Sequence, residues 1–116
     1  MQYLLLVMEH EDRKAMPDDE RHRAYDRMMQ FGESLKKRGM WLASESLRDD
    51  HGGVRIQVRA GKRIVTEGPF AESKEMVGGF FLVDCKSRDE AIAIAAECPV
   101  ASWATVAVRE VGPCYE

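Results

Sequence analysis

The chain has 116 residues, of which 45% are hydrophobic and 32% are charged, and it carries a formal net charge of -3. This length predicts one domain over residues 1–116, and the composition is that of a soluble globular protein with a core of its own. The mild acidity argues against a nucleic-acid or anionic-membrane partner, and no apolar run approaches the ~20 residues of a transmembrane helix.

Cysteine usage predicts a reducing environment. Cys85, Cys98 and Cys114 are odd in number and form no CxxC pair, and the opening MQYLLLVMEH lacks the basic region and long apolar run of a secretory leader. We therefore expect a cytoplasmic protein. A catalytic thiol needs a base partner and a lowered pKa, and the pattern indicates neither, so structural cysteines are expected.

The first two elements are a strand and a long helix. Residues 2–8 (QYLLLVM) are apolar on both faces, which is typical of a central strand. The segment 17–38 opens with Pro and three acidic residues and closes with Lys36-Lys37-Arg38, matching the polarity of a helix dipole. The basic triplet is therefore interpreted as a helix end, with Gly39 in the left-handed cap, and not as a phosphate or nucleic-acid site.

Strands dominate the middle of the chain. Residues 40–47 predict a second strand, and a turn follows at residues 49–53. Residues 54–59 (VRIQVR) alternate apolar and polar side chains, and Ala60-Gly61-Lys62 leads into RIVTE, so 54–59 and 63–67 are expected to form a hairpin.

The last third predicts strand, helix and strand. GGFFLVDC, from Gly78, is an inner strand. Ser87 and Glu90 have the spacing of a capping box at the start of a second helix, which Pro99 ends. Residues 103–111 (WATVAVREV) complete the pattern as a final strand.

The order of elements predicts a fold and an assembly. Without the hairpin the order is βαββαβ, the ferredoxin-like α+β plan with an antiparallel sheet and an inserted β-hairpin. Two helices cover only one face of such a sheet, and the other face would expose an apolar patch. We therefore expect a homodimer in which two sheets pack face to face, as in a dimeric α+β barrel.

Candidate site residues centre on the loop after the hairpin. Glu67 precedes Gly68-Pro69-Phe70, and carboxylates such as Glu67 and Glu45 acquire acid–base character when a cleft partly buries them. The alternative for Glu67 is a structural role, capping the turn or pairing with Arg109. Phe70 either anchors the loop on the core or walls a ligand pocket, and Arg109 either binds an anion or forms a structural pair.

Metal and cofactor motifs are not indicated. The cluster His10-Glu11-Asp12 is interpreted as a solvated loop, because adjacent loop residues seldom converge on one metal. His22 is expected to be exposed on the long helix, and His51 to be a turn residue. Gly78-Gly79 allows close backbone approach or a bulge, without the surrounding pattern of a phosphate-binding loop. No cofactor is expected.

The segment TEGPFAESKEMVGGFFLVDCKSRDEAIAIAAECP resembles the YCII-related proteins, specifically the branch named for an Asp-Gly-Pro-Phe signature. Matching positions are Gly68, Pro69, Phe70, Ala71, Glu72, Ser73, Lys74, Glu75, Gly78 and Gly79. The strands at both ends of the chain also fit the layout, so the resemblance covers nearly the whole chain. It implies a ferredoxin-like fold that dimerises.

The resemblance does not imply that this chain shares the family's catalytic mechanism. Relatives in the wider superfamily act on small organic substrates, as lactone isomerases and a dehalogenase do. Enzymes of the family use a His–Asp pair with its histidine on the first helix, where this chain has Met28 and Met29, so that mechanism is not carried over. The signature Asp is Glu67 here.

Two functional hypotheses result. The first is a dimer with a pocket between the sheet, the helix and the Gly-Pro-Phe loop, which binds a small organic, and in one version anionic, molecule. Glu67 is then the acid–base candidate, Arg109 the anion contact, and Phe70, Glu45, Gly68 and Pro69 the pocket. The second follows from members of the branch encoded near, or fused to, extracytoplasmic-function sigma factors: a non-catalytic protein that regulates such a factor.

Overall fold

A computed structural model describes residues 1–10, 16–70 and 75–115, with His10 described by its backbone alone. Glu11 and Asp12 of the predicted loop cluster, and Ala71 to Lys74 of the family signature, lie outside the described residues. The strands are β1 (Gln2–His10), β2 (Trp41–Ser46), β3 (Val54–Arg59), β4 (Lys62–Glu67), β5 (Glu75–Asp84) and β6 (Thr105–Glu110), and the helices are α1 (Asp18–Lys37) and α2 (Arg88–Glu97).

Four strands form one antiparallel sheet in the order β2-β5-β1-β6. β1 lies between β5 and β6 and pairs antiparallel with both, and β2 pairs antiparallel with β5. With two helices, this α+β arrangement is compatible with the ferredoxin-like plan. The central position of β1 explains why its sequence is apolar on both faces.

Helix α1 is one residue shorter at each end than the predicted segment 17–38. Pro17 is its N-cap and not its first helical residue, and Asp18, Asp19 and Glu20 fill the first turn. At the other end Gly39 adopts φ +72°, and Met40 N–H donates to the Leu35 carbonyl at 3.0 Å, so the last carbonyls of the helix are satisfied.

The core lies between the helices and one face of the sheet, here called the helix face. Cross-strand partners share a face, so Leu5, Phe81 and Val108 lie together on it, as do Tyr3 and Val83. Leu35 from α1 and Ile94 from α2 pack onto this surface, and both side chains are fully buried.

The other face of the sheet, here called the open face, carries apolar side chains with neither helix above them. Leu4 pairs with Leu82, and Leu6 pairs with Phe80, so the four lie side by side and are half-buried. The chain measures 47 × 42 × 18 Å, which makes it a slab one sheet and one helix layer thick.

Strands β3 and β4 form a separate two-stranded sheet, here called the arm. Every residue of both strands is exposed. The apolar side chains of β3 point to one side of the arm, and Val58 is 60% exposed.

Several local predictions differ in detail from the structure. The backbone of β1 continues through His10, which was expected in a loop, and β5 begins at Glu75 instead of Gly78. Ser87 caps α2 by accepting from Glu90 N–H at 3.1 Å, but the Glu90 carboxylate accepts from Lys86 N–H instead of closing the box on Ser87. Trp103 follows a short 3-10 turn (Pro99–Ser102), and β6 begins only at Thr105, because Pro99 starts that turn rather than simply ending α2.

Candidate functional site

The Gly-Pro-Phe loop forms the base of the arm. Gly68 N–H donates to the Gly53 carbonyl at 2.8 Å, and Phe70 N–H donates to Asp50 Oδ2 at 3.2 Å. A Cβ built at Gly68 would overlap the carbonyl oxygen of Asp50, so only glycine fits. The Gly68-Pro69 peptide bond is cis. These contacts tie the loop to the turn that precedes β3.

Phe70 is held by the arm itself. The guanidinium carbon of Arg55 lies 3.8 Å from the centroid of the Phe70 ring, within cation–π range. This contact agrees with the loop-anchoring alternative for Phe70, with Arg55 of the arm as the anchor in place of the main core.

The other predicted site residues lie apart from one another. Glu67 is the exposed last residue of β4 and pairs with Val54 across the arm. Arg109 is exposed on β6 opposite Leu4, which places it on the open face of the sheet. Glu45 lies on the edge strand β2 and borders a large cavity that Glu67, Gly68, Pro69, Phe70 and Arg109 do not line.

That cavity lies between α1 and the helix face of the sheet and has a volume of about 1230 Å³. We call it the α1–sheet cleft. Its floor includes Val7, Glu9, Ser44, Ser46, Gly78, Gly79 and Phe81, its roof includes Ala24, Tyr25, Met28, Met29 and Gly32, and Val100 and Trp103 close one end. Its volume is above the usual range of small-molecule sites, and much of its lining is apolar, as in such sites.

The size of the side chains explains why the cleft opens where it does. Under the second half of α1 the sheet presents large residues, and Phe31 meets Phe81 edge to face with ring centroids 5.0 Å apart. Elsewhere the floor includes Ser44, Ser46 and Gly79, which are too small to fill the layer. The helix therefore packs Phe31 and Leu35 on the sheet, and space remains under the roof residues, which come from both its halves.

Gly78 leaves space for the carboxylate of Glu9 in the floor of the cleft. β5 has one extra residue opposite the Val7–Met8 step, so a β-bulge lies at Gly78. A Cβ built at Gly78 would lie 2.6 Å from Glu9 Cδ, which means that the Glu9 side chain occupies the space a larger residue would need. Glu9 is two residues beyond Val7 on the helix face, and its Oε2 is buried.

Gly79 serves backbone packing instead. A Cβ there would lie 2.8 Å from the Glu45 carbonyl oxygen of β2, so the glycine permits close approach of the neighbouring strand. The paired glycines thus have separate uses: Gly78 accommodates a side chain of β1, and Gly79 accommodates the backbone of β2.

Polar and aromatic groups surround the rest of the cleft. Trp41 Nε1–H donates to Ser44 Oγ at 2.8 Å, so the Ser44 hydroxyl keeps its own proton for another acceptor. Lys36 Nζ lies 4.6 Å from the Trp41 ring centroid and 3.2 Å from Glu33 Oε1. His22, exposed as expected, lies in the lining contributed by α1.

The two buried thiols, Cys85 and Cys98, have the properties of structural cysteines. Burial raises the pKa of Cys98 to about 11, and Cys98 Sγ lies 3.8 Å from Met28 Sδ. Burial likewise raises the pKa of Cys85. These shifts disfavour the thiolate, the form a nucleophile needs.

The described residues contain neither a metal-binding cluster nor a membrane-spanning helix. Within residues 1–10, 16–70 and 75–115, no three His, Cys, Asp or Glu side chains are grouped closely enough to hold a metal ion. Over the same residues, neither helix is long and apolar enough to cross a membrane.

Sequence reasoning missed Glu9, the carboxylate in the floor. The signal was present: residues 2–8 and Glu9 continue one strand, and Gly78-Gly79 was recognised as a site for a bulge or close approach. Only the pairing of β1 with β5 shows that the bulge faces Glu9.

The chain was then compared with known proteins. A family model described as the YCII-related domain matches residues 1–114. One relative, the uncharacterized protein R00369 of Rhizobium meliloti (strain 1021), is 50% identical over 46 residues, which is 40% of this chain. The matched segment spans 37% of that relative's length.

Proposed function

We propose that this chain, which belongs to the YCII-related domain family, binds a small organic molecule in the α1–sheet cleft. The observation that carries the proposal is the cleft of about 1230 Å³, with an apolar lining and a carboxylate seated in its floor. Concave, mostly apolar cavities with a few placed polar groups are the usual sites for such ligands.

The proposal keeps the sheet and the helix as walls of the predicted pocket and leaves out the Gly-Pro-Phe loop. The loop at Gly68-Pro69-Phe70 contacts the turn before β3 and the Arg55 guanidinium, and these contacts support a structural role at the base of the arm. Of the residues first considered, Glu45 stays a pocket residue. Glu67 as acid–base group and Arg109 as anion contact remain predictions, at positions outside the cleft.

We propose in addition that a second copy covers the open face and that the chain acts in the cytoplasm. Leu4, Leu6, Phe80 and Leu82 form the contiguous apolar surface that such a partner would bury. Cys85, Cys98 and Cys114 are free thiols, which supports a reducing compartment. The Gly68-Pro69-Phe70 sequence supports placement in the signature branch of the family.

A cleft-filling variant tests the proposed function. Ser46 is exposed at the cleft margin on edge strand β2, so Ser46→Trp adds bulk to the cavity without entering the core. The control is Ser34→Trp, also exposed, on α1 and outside the cleft lining. Both variants and the parent chain are screened by ligand-observed NMR against a library of small acids, amines and neutral aromatics.

We expect the parent and Ser34→Trp to bind the same compounds and Ser46→Trp to lose them. Compounds that bind all three proteins equally would place binding outside the cleft and contradict the proposal. A pull-down distinguishes the sigma-factor hypothesis from this proposal. If the parent and Ser46→Trp both recover a sigma factor, and the ligand screen finds no binding compound, the regulatory alternative is favoured.

A further inference from the structure

We infer that the α1–sheet cleft selects organic amines, with Glu9 as the counter-charge of the ligand's ammonium group. This inference rests on the proposed function and names the ligand class of the same site. It starts from the ionisable residues that line the cavity, which are predominantly acidic among the described residues: Glu9, Asp18, Glu20 and Glu33 against Arg21 and Lys36, with His22 besides. Glu45 also borders the cavity, but it pairs with Phe80, which places its side chain on the open face.

The two permanent cations are already engaged by carboxylates of the same helix. Arg21 bonds Asp18, and Lys36 Nζ lies 3.2 Å from Glu33 Oε1. Both cations therefore balance acids that also line the cleft, and among the described residues the carboxylates of Glu9 and Glu20 give the lining a negative balance. Such a lining attracts a cationic ligand and repels an anionic one.

Glu9 has the position to act on a ligand within the cavity. It lies in the floor beside Gly78, with Oε2 buried, whereas Glu20 is exposed on α1 and Glu45 is exposed on an edge strand. A charge-assisted hydrogen bond is stronger where water is excluded, so Glu9 should contribute more to recognition of an ammonium group than the two exposed acids. A carboxylate accepts several hydrogen bonds, so it serves a ligand beside its protein contacts.

The aromatic lining fits the same ligand class. Trp41 and Trp103 both line the cleft, and each already holds a protein cation over its ring: Lys36 Nζ lies 4.6 Å and Arg27 Cζ 5.3 Å from the respective centroids. An amine carried on an aromatic or aliphatic body would meet aromatic faces and apolar Met side chains together with a carboxylate.

The spread of the acids favours an organic cation over a metal ion. Within the described ranges no three metal-capable side chains converge, so these carboxylates do not form a coordination shell. The anionic version of the ligand hypothesis relied on Arg109, which lies on the opposite face of the sheet.

Three matched probes test the inference. Each is titrated into the full chain at neutral pH, and protein NMR measures binding. They are 2-phenylethylamine, 2-phenylethanol and 3-phenylpropanoate, which share an aromatic body and differ in charge. We expect the amine to bind most tightly and the acid most weakly. Glu9→Gln should weaken amine binding about tenfold and leave the alcohol unchanged, as the loss of one charged hydrogen bond predicts.

Controls separate an electrostatic role from a structural one. Glu110→Gln removes an exposed carboxylate of β6 outside the cleft lining and should change no affinity. If Glu9→Gln weakens all three probes equally, or if the alcohol or acid binds as well as the amine, the inference is wrong while the proposed function stands. If none of the probes binds even at millimolar concentration, the inference is wrong and the library screen still decides the proposed function. If the amine binds and Ser46→Trp leaves its binding unchanged, the proposed function fails as well.

Discussion

At the scale of single residues, the most informative contact is between Gly78 and Glu9. Neither residue is notable in the sequence by itself, since one is half of a Gly-Gly pair and the other follows a strand. The bulge in β5 brings them together, and the missing side chain of Gly78 makes the space that the Glu9 carboxylate fills. The position of this carboxylate is thus specified by a pair of residues on two strands.

Gly78→Ala should lower the free energy of unfolding by about 1–3 kcal/mol, because the added methyl overlaps Glu9 in a packed layer. The positive-φ glycines of the described ranges are Gly39 and Gly61, so the variant tests space and not backbone conformation. Urea unfolding measures the change. Gly52→Ala is the matched control, since a Cβ there meets nothing within 4 Å, and it should stay within about 0.5 kcal/mol. Equal stability of both variants would mean that Glu9 lies elsewhere.

The cysteines should differ in reactivity. Cys114 is exposed, whereas Cys85 and Cys98 are buried with raised pKa values, so a thiol reagent at pH 8 should label Cys114 quickly and the other two only on unfolding.

The folded chain holds the Cys98 proton more tightly than the unfolded chain does. The stability contributed by the protonated thiol is therefore complete below the unfolded pKa and is lost as pH rises toward about 11. Rapid labelling of all three cysteines in the folded protein would contradict this picture.

At the scale of elements, α1 has two uses. Phe31 and Leu35 pack onto the sheet and anchor its second half, while residues of both halves, from Ala24 to Gly32, roof the cleft. The helix is therefore held on the sheet and still borders a ligand-sized space.

Leu35→Ala should cost about 2–5 kcal/mol of unfolding free energy, because the side chain is fully buried between α1 and the sheet. Gln30→Ala, exposed on the same helix, should change stability by no more than about 0.5 kcal/mol. Chemical denaturation compares the two with the parent. A cost for Leu35→Ala as small as that of the control would show that the second half of α1 is not the anchor.

The sequence predicts these elements well because their signals are local. The charged ends of α1, the glycine at its cap and the alternation in β3 each lie within a few residues, and the structure has a helix or a strand at each place. The sequence also predicts a pocket between the sheet and the helix, but the residues of its floor could not be predicted in the same way. They depend on which strands become neighbours, and Glu9 and Gly78 are brought together only by that pairing.

The contacts of the signature loop could not be predicted from its sequence either. Its residues were identified from the sequence and drew attention as a binding site, yet their contacts are with Asp50, Gly53 and Arg55 at the base of the arm. A strong local motif identified the family, and its hydrogen-bond partners became known only from the fold.

At the scale of the whole molecule, the isolated chain is unusually extended. Its radius of gyration is 16.1 Å, against about 13 Å for a compact chain of this length. The slab shape and the protruding arm account for the difference. Leu6 and Phe80 are only half-buried on the open face, and Ile56 and Val58 are exposed on the arm. A two-stranded sheet is only marginally stable by itself, so the proposed second copy would also have a role in supporting the arm.

Sedimentation velocity at micromolar concentration should therefore give twice the 13.2 kDa mass of the chain. Leu6→Asp places a charge at the middle of the open face and should yield monomers that keep their circular dichroism spectrum. Ile92→Asp, exposed on α2, should leave the dimer intact. A parent chain that sediments as a monomer would refute the covering of the open face by a second copy.

The central claim is that ligands bind in the α1–sheet cleft, and mapping a bound compound on the protein tests it most directly. Amide chemical shifts of the assigned chain are recorded with and without a compound identified in the screen. The largest changes should fall on Glu9, Ser46, Gly78 and Gly79, with Gly68 and Phe70 nearly unchanged. Changes centred on Gly68 and Phe70, with the floor of the cleft unaffected, would contradict the account and return the site to the signature loop.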